Sequence, residues 1–195
     1  MNAKKPLDLM SLDDLESLAR QPFAGPDAIN LAEVNMPPMS VSDVYSTIDI
    51  SIRTGSVEEM KKVVDGLGEN MGLDLKKLRL YAPLYEALLN AFQHGNKRDS
   101  ARPIRLHYAR MPEQIELLVE DNGGILNPNF IPFVLRQRQH IPGQNNVNFY
   151  EFCGVEKPDT NLGTGTFFIH AGSDEVTYHK SGNNGLIIRM VKSRV

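Results

Sequence analysis

The chain holds one cysteine, Cys153, in 195 residues. That excludes an internal disulfide and a cysteine-built zinc cluster, and it fits a reducing compartment. It has no apolar run long enough to span a bilayer, and none behind Lys4 and Lys5 to make a secretory signal. Charge of one sign is missing too: the net is -3 with pI near 6.0, so nothing in the whole-chain charge draws it to nucleic acid or an anionic membrane. The P-loop lysine signature is absent, as is the GxGxxG of dinucleotide-binding folds, and there is no internal repeat. What is present is an ordinary globular balance, 41% hydrophobic and 23% charged. The length suits one domain with its own core. A soluble, cytoplasmic protein is expected.

The first 44 residues read as an acidic extension, proline-rich and partly ordered. Ser11 with Asp14 resembles a capping box, and Leu12, Leu15 and Leu18 would line one side of a short helix ended by Pro22, Gly25 and Pro26. Such a segment could dock on the main domain or on a partner, or stay half-ordered. The main domain is expected over 45–195. Ile48, Ile50 and Ile52 alternate as in a half-buried strand. Ser56 to Met71 has helical spacing with Gly72 as its stop. A longer helical stretch runs from Asp74 to His94, with Pro83 kinking it or opening a fresh helix near Ala82. Ile104 to Tyr108 and Gln114 to Glu120 read as a hairpin that stops at Asp121-Asn122-Gly123-Gly124. From 125 to 162 the periodicity dissolves among prolines, glutamines and asparagines. So long an aperiodic segment inside a domain is usually a functional or mobile loop. Gly163-Thr164-Gly165-Thr166 then opens a short apolar helix through Ile169, and Val176 to His179 and Leu186 to Val191 close as a second hairpin. The order predicts an α/β (α+β) two-layer sandwich: a mixed, mostly antiparallel sheet with helices on one face.

Three clusters carry chemistry. Glu86, Asn90 and His94 fall at i, i+4 and i+8 of a largely apolar helix. A carboxylate and an amide on such a helix need partners, which a polar ligand with a metal ion would supply; the stripe could equally face water. Asp121 at a strand end can accept a hydrogen bond from an exocyclic amine, and the glycines after it let a ligand near the backbone, although an Asn-Gly turn is common there. Gly163-Thr164-Gly165-Thr166 at a helix start suits a phosphate, yet a lone Gly-x-Gly is weak by itself.

Taken in order, this helix, strand end, long polar loop and Gly-x-Gly start resemble the N box, G1 box, ATP lid and G2 box of the GHKL ATPase superfamily. Within it, Glu86-Ala87-Leu88-Leu89-Asn90-Ala91-Phe92-Gln93-His94 is similar to the N box of bacterial anti-sigma-factor serine/threonine kinases. The stretches Gly172 to Val176 and Arg189 to Lys192 are similar to their C-terminal part. The resemblance covers roughly Ser46 to Val195 and implies a Bergerat-type ATP-binding fold with a lid over 125–162. It implies that Asn90 coordinates Mg2+ and that Asp121 accepts the adenine amino group. Gly123 would lie under the purine, Gly163, Thr164, Gly165 and Thr166 would border the phosphates, and Glu86 would act as base toward a hydroxyl. His94 and Lys97 would reach phosphate or sit at a solvated helix end. It further implies a small anti-sigma-factor antagonist as substrate, a sigma factor as a further partner, and a homodimer. A sensor-histidine-kinase catalytic domain and a nucleotide-binding module without transfer are the rival readings. The G1 and G2 boxes depart from the common pattern: Gly124 follows Gly123 directly, and Thr164 and Thr166 stand where leucine is frequent.

Overall fold

The computed structural model describes residues 29–30, 38–123, 125–126, 133, 148–150, 156, 163–183 and 185–194. The expected helix around Ser11 to Leu18 and most of the 125–162 segment lie outside them.

Helix α1, Val57–Met71, starts where the sequence supplies a reciprocal cap. Ser56 Oγ accepts the Glu59 N–H at 3.2 Å, and the Glu59 carboxylate reaches back to the N–H groups of Arg53, Thr54 and Gly55. It ends at Gly72, whose φ of +62° is the left-handed cap expected of a glycine. The next helix, α2, Tyr81–Asn90, does not begin at Asp74 as the spacing suggested. Asp74 Oδ1 takes the Lys77 N–H and starts a turn, Arg79 holds a left-handed φ of 60°, and the Leu80 N–H returns to the Leu75 carbonyl. The cause is Pro83, whose ring would collide with the Arg79 carbonyl if the helix ran straight through. A fresh start at Tyr81 puts Pro83 in the first turn, where no N–H is missed. At its other end α2 loosens into a π-helical turn, Ala91–Gly95.

The strands are β1, Ile29–Asn30; β2, Ser46–Ile50; β3, Ile104–Arg110; β4, Gln114–Glu120; β5, Ile125–Leu126; β6, Glu175–Lys180; and β7, Leu186–Ser193. Five of them form one sheet in the order β2-β3-β4-β7-β6, with every pairing antiparallel. A parallel bridge adds Pro38 to Lys180 at the β6 edge. Alternation along the strands sends Ile50, Leu106, Leu117, Val119, Ile188 and Met190 into a core with Met60, Val64, Leu84, Leu88 and Ile169 of the helices. Helix α3, Gly165–Gly172, packs on α2 within that layer. The fold is the two-layer α/β sandwich expected, with helices on one sheet face. A second pairing, β1 with β5, was not anticipated. Among the described residues no helix is long and apolar enough to cross a membrane.

Candidate functional site

The topology brings three chain segments together at one end of the sheet. Strand β4 delivers Asp121 there, buried to 6% exposure. Its N–H donates to the Leu186 carbonyl at 3.0 Å, and its Oδ1 accepts the N–H groups of Gly123 at 2.8 Å and Leu186 at 3.1 Å. Both donors fall on Oδ1, and Oδ2 lies on the Gly95 side with no hydrogen bond among the described residues. The backbone of Gly95, at the end of the π-helical turn, lies against this carboxylate: a Cβ on Gly95 would overlap it. A Cβ on Gly123 would lie 2.5 Å from the Gly95 carbonyl oxygen. The two glycines meet face to face, and neither position admits a side chain.

Asn96, wholly buried, locks that contact. Its Nδ2 donates to the Arg102 carbonyl at 2.8 Å and its Oδ1 accepts the Asn122 N–H at 2.9 Å. Sequence reading passed over it, although an asparagine directly after the Glu86 helix, followed by a charged loop, is a plausible tie between helix end and strand end.

The second half of the site lies one to two turns back along α2. Glu86 and Asn90 sit half-buried under the start of α3, where a Cβ on Gly165 would be 2.6 Å from Glu86 Oε2 and 3.4 Å from Asn90 Nδ2. A larger residue here would displace the Glu86 carboxylate from its present position. Thr164 stands at the helix N-cap without a side-chain capping bond; the Phe167 N–H returns to the Thr164 carbonyl at 3.0 Å, and among the described residues the N–H groups of Gly165 and Thr166 remain for another acceptor. The Thr166 hydroxyl is buried and has no hydrogen-bond partner among the described residues. Gly163, with φ of +68°, presses on the Phe149 backbone and Tyr150 ring instead. His94 lies within the π-helical turn and is an exposed residue. Protein crowded beneath the ring and the Arg98 guanidinium hold its pKa below the usual imidazole value. Lys97 and Arg98 follow with left-handed φ of 56° and 60°, a conformation costly outside glycine and concentrated at functional sites.

Burial sets the electrostatics. Desolvation raises the pKa of Glu86, which has no hydrogen bond or ion pair among the described residues. Desolvation also raises Asp121, helped slightly by the adjacent Glu120 and opposed by the Gly123 and Leu186 N–H donors. Carbon-13 NMR titration of the carboxyls, with Asp121→Asn for assignment, should find Asp121 titrating above the ordinary value of about 3.9. A value at or below that would contradict the desolvated pocket. The sign for stability follows. A carboxyl raised in the fold favours folding fully below its unfolded pKa and loses that contribution as pH rises through the folded one. At neutral pH, ionised Asp121 and Glu86 therefore cost stability.

The donor set was tested for a nucleotide with a divalent cation, and it fits. Free helix N–H groups and an orphaned hydroxyl suit phosphate oxygens, and Asn90 offers an amide oxygen. Among the described residues no three His, Cys, Asp or Glu side chains converge on a metal position. Mg2+ is commonly held by few side chains together with the phosphates of its ligand. A buried carboxylate at the end of β4 and a glycine-lined helix start over a desolvated glutamate are the features such a ligand would meet. Residues 50–192 match the histidine kinase-like ATPase domain, and the chain belongs to that family. The match supports the GHKL resemblance and leaves open which branch the protein represents. Comparison with curated proteins finds no match.

Proposed function

We propose that the protein is an ATP- and Mg2+-dependent protein serine/threonine kinase of the anti-sigma-factor type, its domain spanning 45–195. Its substrate is a hydroxyl on a small anti-sigma-factor antagonist, with a sigma factor as further partner and a homodimer as the assembled form. The observation that carries this reading is Glu86: desolvated, unpaired, and pressed against the helix start that would border the phosphates. Binding alone does not need a carboxylate there; proton removal from a hydroxyl does. In the step, Glu86 takes the hydroxyl proton as the substrate oxygen bonds to the terminal phosphorus of ATP. The bond from that phosphorus to the bridging oxygen breaks, and ADP leaves with the electron pair. Asn90 is the residue to hold Mg2+, which when bound neutralises charge on the phosphates. The backbone N–H groups of Gly165 and Thr166 orient the phosphate chain.

Radiolabelled ATP with the cognate antagonist tests the reading, and an acid-stable, alkali-labile label is expected. An acid-labile label would assign the protein to the histidine kinases, and no label at all would leave a binding module. Calorimetry should find Mg2+-dependent ATP binding. Asp121→Asn should weaken it by about 1–3 kcal/mol, the scale of one base-edge contact. Equal weakening of GTP would sink the adenine role of Asp121.

A further inference from the structure

Behind Asp121 lies a turn that the proposed chemistry does not use. It joins β6 to β7 and is organised around Ser181, buried to 4% exposure. The Ser181 N–H donates to the Gly185 carbonyl at 2.9 Å. Its Oγ accepts the N–H groups of Gly185 at 3.0 Å and Asn183 at 3.2 Å. Ser181 also helps to hold the Glu120 pKa below the usual range, behind His107 and Arg105. Both lone pairs of Oγ are thereby engaged by the turn. Glu120 is itself pinned, by His107 Nε2 at 3.0 Å and Arg105 Nη1 at 3.4 Å, and the His107 bond foremost keeps its pKa below the usual range.

The turn touches Asp121 at two points. Gly185 lies so close to the Asp121 main-chain carbonyl that a Cβ would overlap it, and Leu186 supplies one of the two N–H donors on Oδ1. If the turn relaxes, that donor withdraws and Oδ1 is held by the Gly123 N–H alone. We propose that Ser181 is a positioning residue for the base pocket: by holding the β6–β7 turn it keeps Asp121 Oδ1 doubly occupied and Oδ2 as the acceptor that remains, and so sets a preference for adenine over guanine. The inference rests on the nucleotide reading above and deepens it. An acceptor oxygen held in one place attracts the adenine amino group and repels the guanine O6, itself an acceptor at the same edge. A carboxylate that can turn, or trade oxygens with a loose N–H, discriminates less.

The test is the ratio of dissociation constants for GTP and ATP, measured by calorimetry on the full chain with Mg2+. Ser181→Ala should lower that ratio about tenfold, the scale of one hydrogen bond to a charged group. Ser181→Thr, which keeps the hydroxyl, should restore it. Asn183→Ala should leave it unchanged, because Asn183 joins the turn through its backbone. Should Ser181→Ala fail to fold by circular dichroism, Ser181→Cys keeps the shape and is a weaker acceptor for the Asn183 and Gly185 N–H groups. An unchanged ratio in a folded Ala or Cys variant overturns the proposal. So does equal loss for both nucleotides, which would mark a merely structural turn. Wild-type protein that binds no adenine nucleotide would remove the nucleotide reading, and this inference with it.

Discussion

Glu86→Gln is expected to bind ATP almost as well as the wild type while transferring the phosphoryl group roughly 10²–10⁴-fold more slowly, the usual yield of general-base catalysis. The amide keeps the size of the carboxyl under Gly165, whose absent side chain leaves no slack for a larger group. It cannot take a proton. The variant should also be more resistant to urea without nucleotide at neutral pH. The folded pKa of Glu86 is raised, so its ionised form opposes folding there, and glutamine removes that opposition. Slower transfer with a higher urea midpoint is a pattern that general damage to the fold would not produce. Transfer within threefold of wild type would dismiss Glu86 as the base.

Asn96→Leu should cost about 2–4 kcal/mol in urea unfolding, since two part-buried backbone groups lose their partners, each in the lower part of the roughly 1–3 kcal/mol range of a buried group. The groups are the Arg102 carbonyl and the Asn122 N–H, which the asparagine bridges between the end of α2 and the exit of β4. Against a total stability of about 5–15 kcal/mol such a loss is large. Nucleotide affinity should fall with it, because Gly95 and Gly123 meet only while that bridge holds. A loss below 1 kcal/mol would show that water replaces the side chain without difficulty.

Where periodicity dominated, the sequence was readable. The β4 strand lies where alternation put it, from Gln114 to Glu120, because Ile115, Leu117 and Val119 all face one core. Asp121 stands at its end, and Glu86, Asn90 and Gly165 do converge. The stretch after Asp74 misled, since Leu75, Leu78 and Leu80 have apolar spacing but pack as successive turns once Pro83 forces a new start. Strand β1 escaped notice because two residues carry no period. Asn96 escaped for a different reason: it works through backbone atoms distant in sequence, and a lone polar residue does not announce which carbonyl it will meet. The π-helical turn at Ala91–Gly95 was equally hidden, because counting by fours assumes an unbroken α-helix.

That break has a consequence for how the protein tolerates change. The turn from Ala91 to Gly95 spends more chain per revolution than the helix before it, with the Asn96 N–H returning to the Ala91 carbonyl at 2.7 Å and the Arg98 N–H to Phe92 at 2.7 Å. Removing a single residue there would restore a regular helix and improve its local bonding. It would also swing the helix end around its axis, taking Gly95 off the Asp121 carboxylate and Asn96 away from its two partners. The meeting of the two half-sites therefore depends on the length of this segment more than on its composition: a point substitution on its outer side leaves the join in place, whereas a deletion that makes a better helix dismantles the pocket.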